Sequence, residues 1–283
     1  MDIEYLIQKY ATENGFIAGF CEIKPTPLLE NVKSAIVIGV GNGKKLNFEL
    51  DDVPRGVLAA YCVGMDYHIT VRRELTKLKN YLHKQDVKFD SYIHVDAGPL
   101  PERFLALNAK IGWLGKNQCV FSEKFGSFFN IGCMLVSIPL QWRGGVRPNL
   151  ADDGVVSLCR GCDLCLSSCP TNAITDNGYD YKKCISYITQ KRGDLTKWEQ
   201  TVIGQHLFGC DLCQLSCPLN SNKHVDEIID INEAMPALDL FTSMTKSTFK
   251  AKYGHTSIYW RGVSTIKRNA KIIMNNFYKK GDN

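Results

Sequence analysis

The run CRGCDLCLSSCPTNAI, residues 159–174, restricts this chain more than any other stretch. Cys159, Cys162, Cys165 and Cys169 follow the spacing C-x2-C-x2-C-x3-C-P, the bacterial iron–sulfur signature in which the fourth cysteine serves a different cluster from the first three. A second cluster is therefore required, and its remaining ligands can be counted. Downstream, GCDLCQLSCPLN carries Cys210, Cys213 and Cys217 before Pro218 and matches the last three cysteines of the first run. Leu207 stands where the missing first cysteine belongs, and Cys184 is the only cysteine nearby that can replace it. Cys159, Cys162, Cys165 and Cys217 then hold one [4Fe–4S] cluster, and Cys169, Cys184, Cys210 and Cys213 hold the other. Zinc is the competing reading of paired CxxC motifs. It predicts two separated pairs closing a four-ligand site, not a run ending in proline that is partly repeated. A disulfide framework suits small secreted chains, and this one has 283 residues and no secretory features.

A chain of this length with 45% hydrophobic residues can bury a full core. We expect an α/β domain over residues 1–148, a ferredoxin-like two-cluster domain over 149–222 and a basic helical tail over 223–283. No apolar run approaches the ~20 residues of a membrane span, and cysteines kept as thiolates point to the cytoplasm. The formal charge is +5, but eight thiolates around two cubes contribute about −4 once loaded. Distribution says more than the total. Residues 246–280 hold nine Lys or Arg and no Asp or Glu, which is either a solvated helix face or a patch for a polyanion such as RNA.

The N-terminus is predicted to be an amphipathic helix with Ile3, Leu6, Ile7 and Tyr10 on one face. SAIVIGV (34–40) is an apolar β-branched run, hence a buried strand. Residues 53–85 are helical in pattern, in two pieces, with Ala59, Val63 and Tyr67 at fourfold spacing and then Leu75, Leu78 and Leu82. SYIHV (91–95) is a strand, DAGPLPER turns into a helix over 101–110, GWLGKN is a loop, 118–129 a hairpin and 133–138 a strand. Strands alternating with helices indicate a layered α/β domain, followed by a polar linker over 141–154.

Several stretches outside the cysteines now belong together. RGVLAAYCVGMDYH (55–68), VDAGPLPER (95–103), GWLGKN (112–117), FGSFF (125–129), the cluster run, CISYITQKRG (184–193) and GCDLCQLSCPLN (209–220) occur in this order. The set resembles the epoxyqueuosine reductases, cobalamin-dependent enzymes of the last step of queuosine synthesis on tRNA, over roughly residues 30–270. It also looks related to the reductive dehalogenases. The resemblance implies a nitroreductase-like domain holding base-off cobalamin, two clusters feeding it single electrons from a low-potential donor such as flavodoxin or ferredoxin, and a tRNA anticodon loop as substrate. The protein is expected to act as a monomer. Asp96 of the VDxxP motif would be the proton donor, and a donor near neutral pH calls for a raised pKa. Read from residues alone, Asp96 could instead cap the helix starting near Pro101.

The resemblance further implies corrin contacts from Tyr67, His68, Asp96, Gly98, Lys116, Asn117, Ser127 and Ser186, and RNA contacts from Gln190 and Arg192. Asp66-Tyr67-His68 invites comparison with the cobalt-ligating D-x-H-x-x-G motif, but Val71 stands at its last position, so packing near the corrin is expected of His68. Cys21 and Cys62 lie among apolar residues and suit burial. Cys119 and Cys133 flank FGSFF, either as inert packing or as a thiol near the substrate. Beyond the clusters, the family's longer helical-repeat region is expected to be shortened to about two helices. Two other classes fit part of this pattern: a two-cluster electron-transfer or corrinoid-reducing protein, and a cobalamin-dependent reductase of a small molecule.

Overall fold

The computed structural model describes residues 2–42, 44–47, 53–141, 159, 161–221, 223 and 227–281. The chain divides into two compact units, one of Met1–Asn42 and Tyr67–Cys162, the other of Gly43–Asp66 and Asp163–Asn283. The sequence-based division at 148 and 222 differs from this, because residues 43–66 group with the cluster segment and the tail.

In the first unit, helix α1 (Ile3–Glu13) starts at Asp2, whose carboxylate accepts the Glu4 and Tyr5 amides as an N-cap. Strands β1 (Ile17–Glu22), β2 (Ser34–Gly41), β3 (Ser91–His94) and β4 (Phe129–Val136) form one sheet in the order β1-β2-β4-β3. Every neighbouring pair is antiparallel. Both faces are covered. Ile36, Ile38, Met134 and Val136 pack with Leu6 and Ile7 of α1 and with Val71, Leu75, Leu78 and Leu82 of α2 (Tyr67–Lys84). Ala35, Val37, Cys133 and Leu135 point the other way, onto Leu105 and Ala106 of α3 (Glu102–Asn108). Alternation across a doubly covered sheet is why SAIVIGV reads as one continuous apolar run. Gly132 lets α2 approach closely, since a Cβ there would lie 2.3 Å from Val71.

Two local expectations change. A hairpin pairs Trp113–Leu114 with Val120–Phe121, so GWLGKN supplies its first strand and turn, and the hairpin expected over 118–129 is a single antiparallel bridge between Ser122 and Gly126. Residues 53–85 hold one α-helix, α2, instead of two pieces. Val57–Leu58 is extended and pairs in parallel with His206–Phe208, and Ala60–Cys62 is a 3-10 turn.

The second unit contains α4 (Leu164–Ser167), α5 (Ile185–Gln190), α6 (Lys197–Val202), α7 (Leu212–Leu215), α8 (Lys246–Tyr253) and α9 (Val263–Gly281). Thr196 and Glu199 close a capping box at the start of α6. Its core joins Leu58, Ala59, Cys62 and Val63 to Ile188, Leu207, Phe208, Phe249, Ile266 and Ala270. Tail and cluster segment thus share one core. Most of the expected linker, residues 142–154, lies outside the described residues. No helix among the described residues is long and apolar enough to cross a membrane.

Candidate functional site

The first unit gathers its chemistry where β3 ends. Asp96 adopts φ +58°, a left-handed conformation that costs a non-glycine residue energy and is kept only where its surroundings enforce it. Its Oδ2 accepts the Tyr67 hydroxyl at 2.6 Å and lies 3.2 Å from His68 Nε2. Both partners open α2, where their rings stack with centroids 4.2 Å apart. The bond from His68 lowers the Asp96 pKa; burial pushes it up, and the Tyr67 bond and the His94 charge pull it down again. The net shift is below the ordinary carboxylate value. This corrects the expectation of a raised pKa: two donors outweigh partial burial.

The helix-cap reading of Asp96 also fails. The cap position of α3 is Pro101, with no side-chain bond. The bond runs the other way, from the Asp96 amide to Glu102 Oε1 at 2.7 Å. Behind the turn lies His94, 3% exposed, its Nε2 3.1 Å from the Asp96 carbonyl and 3.7 Å from Glu102 Oε1. A carbonyl only accepts, so this Nε2 carries the proton. Gly98 rests on the same ring, and a Cβ there would come within 2.3 Å of it. Burial pushes the Glu102 carboxyl up to about 7, the Asp96 amide opposes this, and the Asp96 charge adds to it. Sequence reasoning missed Glu102 and His94, although both lie inside or beside VDAGPLPER.

The hairpin carries other predicted contacts. Asn117 is buried, its Oδ1 accepting the Cys119 amide at 3.2 Å, and Ser127 is buried beyond it. Lys116 sits in the same turn. Trp113 Nε1 is buried with no acceptor, so the motif that the resemblance sets against corrin offers a donor suited to a macrocycle fringed with amides. Cys133 is fully buried and its thiol pushed well up by burial, which favours packing. Cys62 is buried too.

In the second unit the two cysteine runs fold alike. Helices α4 and α7 follow Asp163 and Asp211 and end at Ser168 and Ser216, whose hydroxyls meet at 2.9 Å. The eight predicted ligand cysteines form no disulfide and are partly exposed. Burial raises the Cys210 thiol to about 12, the Leu212 amide opposes this, and the Cys184, Asp211 and Cys213 charges add to it. Leu207, in the vacant ligand position, is fully buried in the core. Cys169 Sγ accepts the Ala173 amide at 3.4 Å, the kind of bond cluster sulfurs take. Among the described residues no three His, Cys, Asp or Glu converge closely enough to hold one metal ion.

Gln190 and Ser186 are engaged inside this unit. The Gln190 amide donates to the Tyr61 hydroxyl and the Ser186 carbonyl, each at 3.0 Å. Arg192 lies beside Arg261, whose pKa is lowered first by burial and then by the Arg192 charge. The Arg261 guanidinium stacks 3.5 Å from the centre of the Trp260 ring, and its Nε is buried without a partner. Trp260 and Tyr187 are exposed nearby. Two arginines beside open rings suit unpaired nucleotides, and sequence reasoning found only Arg192 of this group.

Known proteins resemble this chain over both the cluster segment and the first unit. Residues 158–220 match the 4Fe-4S double cluster binding domain, and residues 23–97 match the family described as epoxyqueuosine reductase QueG, DUF1730. An epoxyqueuosine reductase from Staphylococcus aureus is 35% identical over 279 residues, covering 93% of this chain and 70% of that one. The structure of epoxyqueuosine reductase from Streptococcus thermophilus superposes with a TM-score of 0.86 at 28% identity, covering 98% and 82% of the two chains. Another, solved with an epoxyqueuosine-modified tRNA-Tyr stem loop, gives 0.82 at 29%, covering 97% and 81%. A catabolic reductive dehalogenase shares the fold, at TM-score 0.52 and 16% identity over 78% of this chain and 32% of that one. Ordered motifs, a doubled cluster segment and relatives aligned across nearly its whole length lead to one conclusion: the chain belongs to the epoxyqueuosine reductase family.

Proposed function

We propose that this protein reduces the epoxide of epoxyqueuosine in a tRNA anticodon loop to the alkene of queuosine. Two electrons and two protons enter, and water leaves. The observation that carries the reading is the Asp96 carboxylate, held on a left-handed turn by Tyr67 and His68, in a chain that also supplies the full two-cluster ligand set. When bound, two [4Fe–4S] clusters and base-off cobalamin supply the electrons.

The chain's own residues supply orientation and protons. Asp96 is ionised at rest, so the acid is a hydrogen-bonded set: Tyr67 and His68 each present a proton to Asp96, which faces the departing oxygen. Lys116, Asn117, Ser127, Ser186 and Trp113 are assigned to the corrin. Arg192 and Arg261, with Trp260, are assigned to the RNA. Gln190 positions α5 through Tyr61, and Gly98 seats the Asp96 turn on His94. A flavodoxin- or ferredoxin-like donor and a monomeric enzyme complete the reading.

The test is anaerobic reconstitution with iron, sulfide and cobalamin, then reaction with an epoxyqueuosine-bearing stem loop and mass analysis of the nucleosides. Loss of one oxygen from the modified base is expected. Full iron loading without bound corrin, or an unchanged base under a low-potential reductant, would overturn the proposal.

A further inference from the structure

The Asp96 turn is held by two bonds to its backbone, made by groups other than Tyr67 and His68, whose donors its carboxylate accepts. Its amide donates to Glu102 Oε1 at 2.7 Å, and its carbonyl accepts from buried His94 at 3.1 Å. Glu102 opens α3, which packs on the sheet through Leu105 and Ala106, so its carboxylate is anchored to a rigid element while the turn is not. Four residues of chain, Ala97 to Leu100, separate Asp96 from the helix entry at Pro101. A left-handed aspartate here has an extended alternative that would carry its carboxylate off Tyr67 and His68.

We propose that Glu102 is a positioning residue for the proton donor: by gripping the Asp96 amide it keeps Asp96 left-handed and its carboxylate in line with Tyr67 and His68. The inference rests on Asp96 being the group that passes the protons of Tyr67 and His68 to the substrate. Glu102 holds the turn through the backbone of Asp96, while its charge also bears on the Asp96 carboxylate and on His68. The charged and titratable groups facing it are Asp96 on the turn, His68 from α2, His94 from β3 and Cys133 from β4. An ionised carboxylate accepts an amide more strongly than a neutral one. Because the Glu102 carboxyl titrates at about 7, the grip tightens as pH rises through neutrality.

The experiment compares Glu102→Gln, Glu102→Ala and Asp96→Asn with the parent protein, all loaded with clusters and cobalamin. Hydrogen exchange of the peptide spanning Val95–Arg103, corrected for intrinsic rates, reads the turn without reference to turnover. In Glu102→Ala the Asp96 amide should lose about 10-fold or more in protection, with kcat down about 10- to 100-fold and KM nearly unchanged. In the parent, protection should climb through pH 7. In Glu102→Gln, which keeps a neutral acceptor, it should stay flat with pH and kcat should recover most of the loss. Parent-like exchange and kcat in Glu102→Ala, with Asp96→Asn inactive, would overturn the role of Glu102. Full activity in Asp96→Asn would instead overturn the donor assignment, and the exchange data would still report on the turn. Should Glu102→Ala not fold, the pH profile of Glu102→Gln decides alone: a parent-like climb in protection would defeat the proposal.

Discussion

Asp96 gives up its proton more readily than a free aspartate because a phenol and an imidazole converge on one of its oxygens. The sign follows directly. A carboxyl whose folded pKa is depressed adds stability above its unfolded value, and that stability is lost as pH falls through the folded value. Tyr67→Phe and His68→Ala should each move this loss to higher pH, with the larger shift in His68→Ala because His68 makes the leading contribution. Carboxyl-carbon NMR titration of Asp96 checks it, and an unmoved titration would contradict the geometry. Since Asp96 is more than half exposed, the effect on global stability should be small. VDAGPLPER was enough to single out Asp96. It could not reveal the charge state, because Tyr67 and His68 lie almost thirty positions upstream and only the fold brings them near.

At the level of elements, the cysteine runs were almost fully legible because ligand spacing is a local constraint. Cys184, identified by counting, bears electrostatically on Cys210. Cys184→Ser should leave one cluster intact and remove about half of the bound iron; iron and sulfide analysis after anaerobic purification checks this. Residues 53–66 were misread because Ala59 and Val63 keep helical spacing while their backbone is drawn into pairing with His206–Phe208; such long-range pairing overrides local pattern. Strand β1 was missed since IAGFCE shows little alternation, and its identity comes from register with β2. Helix α9 shows a second tertiary override. Its Arg268 donates to the carbonyls of Thr189, Lys191 and Gly193, and Asn269 bonds the carbonyls of Thr189 and Leu207 at 2.8 and 2.9 Å. What reads as basic tail surface is partly a brace for the CISYITQKRG segment. Arg268→Ala should destabilise the second unit by about 1.5–3 kcal/mol, because charge-assisted bonds to the buried Thr189 and the more exposed Lys191 and Gly193 carbonyls are lost; urea unfolding followed by circular dichroism measures it.

For the molecule as a whole, the basic balance acquires an address. Arg192 and Arg261 meet beside Trp260, whereas Arg268 is spent internally. Stem-loop affinity should therefore fall with salt, and Arg192→Gln or Arg261→Gln should each flatten the log–log slope by about 0.7. Trp260→Ala should weaken binding by about 1–3 kcal/mol with the slope unchanged. Fluorescence anisotropy across a salt series separates the two behaviours, and identical slopes in all variants would remove these arginines from the interface. The division into two units also bears on how the protein comes to exist. Leu58, Ala59, Cys62 and Val63 are buried against Leu207, Phe208 and Ile266, residues that a ribosome adds well over a hundred positions later. Until then an emerging chain carries a greasy segment early in its length, and a nascent polypeptide halted before His206 can cover it only in part, through Ile188, Leu195 and Ile203.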